Sequence, residues 1–563
     1  MIVRRSGRWA ALFSLAMVLG CRNAAQERTA SGVPPTPVIR FTDGTDAAGL
    51  AFRQRHGGCG RAYFVEQTGA GVAVFDMDGD GDLDLFFPQP TALPGCTPAE
   101  ALRNRLYRND GKGHFERVPG AGGAVCSDYG IGASVGDYDG DGRLDLFESC
   151  YGRSHLFHNE GGGRFRDVTD AARLNRRGYS TSATWLDFDK DGHQDLFVCG
   201  YVEWQPDTPI RCPAPDGKLD YCTPQAFVPG KNALYRNLGN GTFADVTSTS
   251  GLAEEHDRAL GVLAADLDAD GWIDLFISND NGANMLFRNQ RTGRFKNEAM
   301  VRGVAFGAVG KAQSNMGIAA GDYDRDGDLD VLVTTFADEP FTLYRNEGSF
   351  FKDVSAECGL AQATYVPLGF GTCFFDADNN GWLDLFFANG HVEQFINQRS
   401  HTQTFAQLNQ LFHYDGKAAF TQVTGALPAD DRRVHRSAAT GDLDGDGDLD
   451  LLVTALDDRP TLLRNDSPAA HWLAVDLTDA RNGGACIGAK VSATADGVTQ
   501  TGWVLGGGSY LCQSDFAVHF GLGTATRVSR LEISWPDGSR QVLTDVPADQ
   551  RLRVRAEHRR PPG

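Results

Sequence analysis

Short apolar runs separated by turn residues repeat along most of the chain, and the unit is clearest between residues 130 and 169. Gly130-Ile131-Gly132-Ala133-Ser134-Val135-Gly136 is a run of small residues leading into an acidic loop at Asp137. Leu144-Asp145-Leu146-Phe147 leaves that loop and Leu156-Phe157-His158-Asn159 follows. After a turn at Gly161-Gly162-Gly163 comes Phe165-Arg166-Asp167-Val168-Thr169. Four short strands between turns predict one antiparallel sheet. The third run recurs as Leu106-Tyr107-Arg108-Asn109, Leu234-Tyr235-Arg236-Asn237, Leu286-Phe287-Arg288-Asn289 and Leu343-Tyr344-Arg345-Asn346. Weaker copies stand at Leu411-Phe412-His413 and Leu462-Leu463-Arg464-Asn465. Repeated four-stranded units of this kind are propeller blades, with the small first strands crowded near the axis.

Phe41-Thr42-Asp43 matches a fourth run but has no blade of its own, while the last blade ends at Leu462–Asn465 without one. Joining the two closes the ring and leaves no unpaired edge. Beyond Pro468 the repeat stops, and strand-like runs such as His471–Val475, Ile487–Ala493 and Arg530–Trp535 continue in a different rhythm. The expected fold is therefore all-β: a seven-bladed β-propeller over 41–466, a small β-sandwich-like module over 467–556, and a disordered tail over 557–563.

Each blade carries an acidic loop between its first two strands, and the loop starts are separated by 61, 50, 79, 56, 54 and 66 residues. Loop one supplies Asp76, Asp78, Asp80 and Asp84 at positions 1, 3, 5 and 9, with Asp82 at position 7. Loop two has Asp137, Asp139, Asp141, Arg143 and Asp145; loop three has Asp187, Asp189, Asp191, His193 and Asp195. Loop four has Asp266, Asp268, Asp270, Trp272 and Asp274; loop five has Asp322, Asp324, Asp326, Asp328 and Asp330. Loop six has Asp376, Asp378, Asn380, Trp382 and Asp384, and loop seven has Asp442, Asp444, Asp446, Asp448 and Asp450. Calcium wants six to eight oxygen ligands, which this spacing provides, with position 7 contributing only its backbone carbonyl. A glycine at position 6 permits the sharp turn, and the position-9 carboxylate takes the closing role that Glu plays at position 12 of an EF-hand. Up to seven Ca2+ ions are expected, with loop six the weakest because Asn380 replaces a carboxylate.

The formal charge of −20 argues against nucleic acid or an acidic membrane surface as partner. Seven divalent ions would bring it to about −6. At the N-terminus, Arg4, Arg5 and Arg8 precede an apolar run from Trp9 to Leu19 that is too short to span a bilayer. Residues 1–21 read as a signal peptide. Val18-Leu19-Gly20-Cys21 resembles a bacterial lipobox, in which Cys21 would be lipidated; Arg22 follows, and residues 22–40 read as a tether. The expected location is outside the cytoplasm, as an outer-membrane lipoprotein or at the cell surface, with the lipid as the only membrane contact.

The repeats resemble the FG-GAP type of integrin α-subunit propellers. The fuller resemblance is to bacterial relatives of cartilage acidic protein, which add an ASPIC/UnbV module. That module's pattern stands here at Asn482–Ala489, Gly506-Gly507-Gly508-Ser509-Tyr510, His519–Gly523 and Trp535-Pro536-Asp537-Gly538. Ala485-Cys486-Ile487-Gly488 departs from the usual Arg-x-Gly-Ile-Gly. The resemblance implies architecture and carries little about activity.

Long insertions, roughly 88–105, 200–233, 301–315 and 388–408, all join strands at the end away from the acidic loops. Long loops in compact folds carry function, so a partner, protein or glycan, is expected on that variable face. Trp204, Tyr221 and Phe227 in one insertion are candidate exposed contacts, and His391 is a candidate ligand contact or a hydrogen-bonded structural residue. Export permits disulfides: Cys212 with Cys222, Cys486 with Cys512, Cys59 with Cys96 and Cys358 with Cys373 are candidate pairs, with connectivity open. Of Cys126, Cys150 and Cys199 at least one is free, Cys199 by expectation. Gly132-Ala133-Ser134-Val135-Gly136 spells a nucleophile elbow but lies on a strand rather than a strand-to-helix turn. No catalytic constellation stands out. The sequence points to a calcium-stabilised, lipid-anchored binding or adhesion protein; the alternatives are an envelope enzyme acting on a polysaccharide or other polymer, and a purely structural role.

Overall fold

The computed structural model of the protein describes residues 39–556, apart from 98–100, 215–216, 218, 418 and 480–483. The signal peptide, Cys21, the tether as far as residue 38 and the tail from 557 lie outside the described residues.

Seven blades form as the pattern demands. Blade four shows the standard sheet: Ala259–Ala265, Asp274–Asn279, Met285–Asn289 and Phe295–Asn297, antiparallel in sequence order. Blade seven is composite. Its first three strands, His435–Gly441, Asp450–Ala455 and Thr461–Asn465, are completed by Phe41–Asp43, with Phe41 opposite Asn465 and Asp43 opposite Leu463. Blades two and three are further tied together, because Arg177–Tyr179 pair with Tyr151–Arg153.

A side-chain staple explains the third-strand signature. Its asparagine sends Nδ2 to the position-2 carbonyl of the preceding blade's loop: Asn159 to Met77, Asn237 to Tyr138, Asn289 to Phe188, Asn346 to Leu267 and Asn465 to Ala377. Asn109 reaches Leu443 at 2.8 Å, so the same bond crosses the ring closure. Only blade six lacks this asparagine. There Tyr414 packs against Tyr323 of blade five at a 5.7 Å centroid separation.

After the propeller come two sheets. One pairs His471–Thr478 with Val518–Gly523 and Gln550–Arg555; the other joins Val498–Trp503, Lys490–Ala495, Arg527–Ser534 and Arg540–Pro547. Their inner residues, including Leu473, Val475, Val491, Phe520, Leu531 and Ile533, form one core that also takes in Trp185 and Phe243 of blade three. The module thus shares a core with the propeller, and the described residues form a single compact unit.

The deepest link is a segment of the module that runs along the propeller axis. Gly506 and Gly507 pair with Ala264 and Leu263 of blade four. Ser509 accepts the Ile318 amide of blade five through its carbonyl, and its Oγ accepts the Thr372 amide of blade six while donating to Ala438 of blade seven at 2.7 Å. The Leu511 carbonyl accepts the Ala133 amide of blade two and the Leu511 amide donates to Ser182 of blade three. Cys512 and Gln513 then run parallel to Val72 and Ala73 of blade one. All seven first strands touch this plug. Their small residues make room for it: a Cβ on Gly71 would lie 2.5 Å from the Leu511 carbonyl oxygen.

The plug corrects two of the expected disulfides. Cys512 lies in the axial channel beside Ala438, while Cys486 is buried in the core shared with blade three. Cys373 points toward the Ala438 carbonyl, and Cys358 sits in another cluster against Tyr323, so these two are not bonded to each other. Cys59–Cys96 and Cys212–Cys222 are bonded, with Cα separations of 5.5 and 5.1 Å. Cys199, Cys150 and Cys126 are free thiols.

Tyr510, at the far tip of the plug, is fully buried against Phe370. Tyr510→Ala should lower unfolding stability by about 3 kcal/mol or more. In urea titrations propeller and module should still unfold in one transition. An unchanged midpoint, or two separated transitions, would contradict a shared axial core.

Candidate functional site

The acidic loops are built alike in every blade. The position-1 carboxylate accepts the amide of the position-6 glycine, at 2.6–3.1 Å in all seven loops. That glycine has φ between +85° and +102°. Position 4 is also left-handed, even where Lys190, Ala269, Arg325 or Asn379 occupies it at φ +54° to +61°. The loop therefore forces an αL conformation on four side-chain-bearing residues, a cost that argues for a fixed purpose.

The position-9 carboxylate is the hub. One oxygen accepts the position-2 amide, as Met77 N–H does to Asp84 at 2.9 Å. Its other oxygen accepts the amide of the third-strand signature, from Asn109 to Asp84 at 2.8 Å and likewise in every blade, Tyr414 standing in for asparagine in blade six. All seven position-9 side chains are at most 2% exposed. Each oxygen keeps a second lone pair, and those of Asp76, Asp78 and Asp84 converge within 4.8 Å.

Third-strand arginines stand outside this cluster. Arg108 pairs with Asp78 at 2.8 Å, Arg236 with Asp189 at 2.6 Å, Arg288 with Asp268, and Arg464 with Asp444. Blades two and six place His158 and His413 there, against Asp145 and Asp384. In those four blades arginine takes one oxygen of position 3 and leaves the other. Indeed Oδ1 of Asp78, Asp189, Asp268, Asp324, Asp378 and Asp444 is buried without a hydrogen-bond partner. Six carboxylate oxygens orphaned at equivalent positions call for a partner that the protein itself does not supply. The residues fit a hard divalent ion: oxygen ligands, convergent and partly desolvated. Asn380 keeps the pattern, its Oδ1 accepting the Trp382 amide at 2.7 Å as aspartate does elsewhere.

Burial also pushes the carboxyls toward neutrality. It raises Asp84 to about 8, Asp137 and Asp322 to about 7, Asp330 to about 9, and Asp376 and Asp450 well above the usual range. Neighbouring aspartates add to this.

The module covers this face. Lys490 Nζ donates to the Gly327 carbonyl of loop five at 2.6 Å, and Gln194 of loop three donates to Ala485 at 2.9 Å. His519 Nε2 meets Asn379 Oδ1 of loop six at 2.7 Å, and Arg553 lies 4.0 Å from Asp76 of loop one.

At the opposite end, the connections enclose a cavity of about 360 Å3. Its walls include Phe64, Tyr201, Tyr221, Met316, Phe336, Phe370 and, from the module, Tyr510. Arg399 bridges Asp220 at 2.7 Å and Glu393 at 3.0 Å on its rim, and Tyr201 donates to Asp280 at 2.6 Å. Arg436, fully buried, stacks 4.0 Å over Phe370 and donates to the carbonyls of Gln67, Gly390 and His435. The Tyr510 hydroxyl is buried without a partner.

Of the expected contacts, Tyr221 lines this cavity, donating to Glu66 at 2.8 Å and accepting from Gln394 at 2.7 Å. Two of the others, Trp204 and Phe227, are corrected, and His391 takes the structural one of its two expected roles. Trp204 is 4% exposed, packed on Tyr63 and Tyr151, and Phe227 is 6% exposed against Phe64. Those rings hold the insertion to the platform. His391 is buried, accepts the Glu393 amide at Nδ1, and is held at about 4 by burial, as a structural residue is. Tyr510 went unseen because its route to this face passes through the whole propeller. Its only sequence signal is the glycine run before it.

Comparison with known proteins agrees with this architecture. The FG-GAP-like repeat profile matches residues 97–148, 137–198, 215–277, 266–333 and 376–453, and the ASPIC and UnbV profile matches 479–561. Cartilage acidic protein 1 of Mus musculus is 29% identical over 327 residues, covering 55% of this chain and 47% of its own length. The Homo sapiens protein is 28% identical over 318 residues, covering 54% and 44%. The chain spans less than half the length of these relatives. An Agrocybe aegerita lectin structure, on specific recognition of non-reducing terminal N-acetylglucosamine, covers 68% of this chain and 88% of its own at 15% identity. Its TM-score is 0.37, too low to carry any inference about ligand.

The carboxyl shifts fix the sign of a pH effect. In metal-free protein the folded state holds protons at Asp84 and Asp330 that the unfolded chain releases near pH 4, so stability falls as pH rises from about 4 to about 9. With chelator, the melting temperature should therefore fall between about pH 5 and pH 8, and calcium should restore it most at the upper end. A chelated protein whose melting temperature is flat or rises over that range would contradict the site.

Proposed function

Because the chain belongs to the FG-GAP-like repeat family and carries an ASPIC and UnbV module, we propose that it is a calcium-stabilised propeller that binds a glycan in the cavity opposite its acidic loops. The orphaned Tyr510 hydroxyl carries this reading. A buried donor without a partner is costly, and a ligand hydroxyl in the cavity would satisfy it. Aromatic walls with a few placed polar groups suit a sugar ring, which offers an apolar face and a hydroxyl rim. The Asp220–Arg399–Glu393 group is already charge-paired, which favours a neutral ligand over an anion.

Calcium enters as the ion whose ligand chemistry the loops match, with up to seven sites, loop six the weakest. Both disulfides are consistent with export, and no helix among the described residues is long and apolar enough to cross a membrane. A lipid on Cys21 would tether the propeller to the envelope. Cys21→Ser should release the protein from the membrane fraction; unchanged processing and membrane retention would overturn the anchor.

Binding is tested on a glycan array in calcium, with affinities then measured by calorimetry. Tyr510→Phe and Arg399→Ala should each weaken capture of a glycan about tenfold or more, Tyr510→Phe without lowering the melting temperature. Absence of any glycan ligand, or binding indifferent to both changes, would leave a purely structural role. The enzyme alternative draws on Asp280, whose carboxyl burial raises to about 6. Turnover of a bound glycan that Asp280→Asn abolishes without loss of binding would favour it.

A further inference from the structure

Blade two contains a buried cluster that neither the acidic loops nor the cavity uses. Glu148 and Cys150 lie two residues apart on its second strand, Asp145–Arg153, and so project from the same face. Cys126 sits just before the first strand, Tyr129–Gly136, whose Gly130 is opposite Cys150. Glu148 and Cys150 are fully buried, while Cys126 is partly exposed. The Cys126 thiol lies 3.3 Å from Glu148 Oε1, and Asn104 donates to Oε2 at 2.7 Å. Gly130 leaves room for the carboxylate, since a Cβ there would stand 2.3 Å from Oε1. One ligand atom from each of the three residues lies within 4.8 Å of the other two. Among the described residues, no lysine or arginine pairs with Glu148. The neighbouring His155 is engaged by Asp128 at 3.0 Å and Asp167 at 2.9 Å.

We propose that Cys126, Cys150 and Glu148 bind one soft divalent metal ion, of the zinc class, at a site separate in place and chemistry from the acidic loops. Tetrahedral zinc with thiolate and carboxylate ligands sets those donors roughly 3.5–3.8 Å apart. The cluster needs only small side-chain adjustments to reach that spacing. Two sulfur donors select zinc over calcium or magnesium, which take oxygen ligands. Binding displaces both thiol protons and the proton that burial favours on the Glu148 carboxyl, so uptake of the ion releases protons. The three protein ligands leave the fourth position for water, and the exposed side of Cys126 gives the ion access. Asn104 acts from outside the ligand set: it anchors the carboxylate, donating again to Ala124 and accepting the Gln89 amide.

Cobalt(II) is the probe, because thiolate coordination gives a charge-transfer band that oxygen ligands do not. The intact, calcium-loaded chain, first reduced and then freed of excess reductant, should take up about one cobalt ion with such a band, and zinc should displace it. Cys126→Ser and Cys150→Ser should each abolish the band, and Glu148→Gln should weaken cobalt binding at least tenfold with the melting temperature in calcium largely kept. Cys126 is partly exposed, so its serine variant is the one least exposed to misfolding. If the wild-type band is absent, the site is refuted. So it is if peptide mapping finds Cys126 disulfide-bonded to Cys150 in protein prepared with zinc present throughout.

Discussion

Crowded carboxylates held out of water repel one another, and everything on one face of this propeller is arranged around that repulsion. In loops one and two three carboxylates converge within 4.8 Å, and burial drives position-9 carboxyls such as Asp84 and Asp330 toward protonation. Backbone amides take some of the oxygens, and third-strand arginines take another. One oxygen of position 3 is left over in six loops. A divalent ion bound there would satisfy that remainder; nothing else among the described residues does. The left-handed residues at positions 4 and 6 are the conformational cost of aiming the oxygens inward.

The same loops are the surface on which the C-terminal module rests, so the proposed cation sites and the docking interface are one structure. From that base the module sends residues 506–513 down the axis, touching every blade, and ends with Tyr510 in the wall of the opposite cavity. The two faces are therefore joined mechanically. The loops contact the module, the module carries the plug, and the plug sets the Tyr510 hydroxyl in the wall of the opposite cavity. A propeller usually keeps its axis for water or ligand; here the chain fills its own.

Local order was readable from sequence because propeller blades are local objects. Loop positions, four-strand units and closure by Phe41–Asp43 all follow from spacing. The asparagine and arginine of the third strand were visible as a signature but not as partners of the loops, since their bonds span the blade or cross to its neighbour. Threading by Gly506–Gln513 was illegible for a stronger reason: its partners lie hundreds of residues away, and the glycine run reads equally well as an exposed turn. The misread cysteines share this cause. Cys512 belongs to the channel rather than to its sequence neighbours in the module. Trp204 and Phe227 were misplaced because proline-rich insertions look exposed, whereas the described insertion folds its rings back onto Tyr63, Tyr151 and Phe64.

If the seven loops are cation sites, this arrangement depends on the ions they hold. The most direct test is metal content: the purified protein is equilibrated with calcium, freed of unbound ion, and analysed by plasma mass spectrometry against protein concentration. The account predicts about six or seven calcium ions per chain, falling by about one for each loop in which the position-1 aspartate is changed to alanine. A chain that folds, stays folded in chelator and retains no calcium would contradict it.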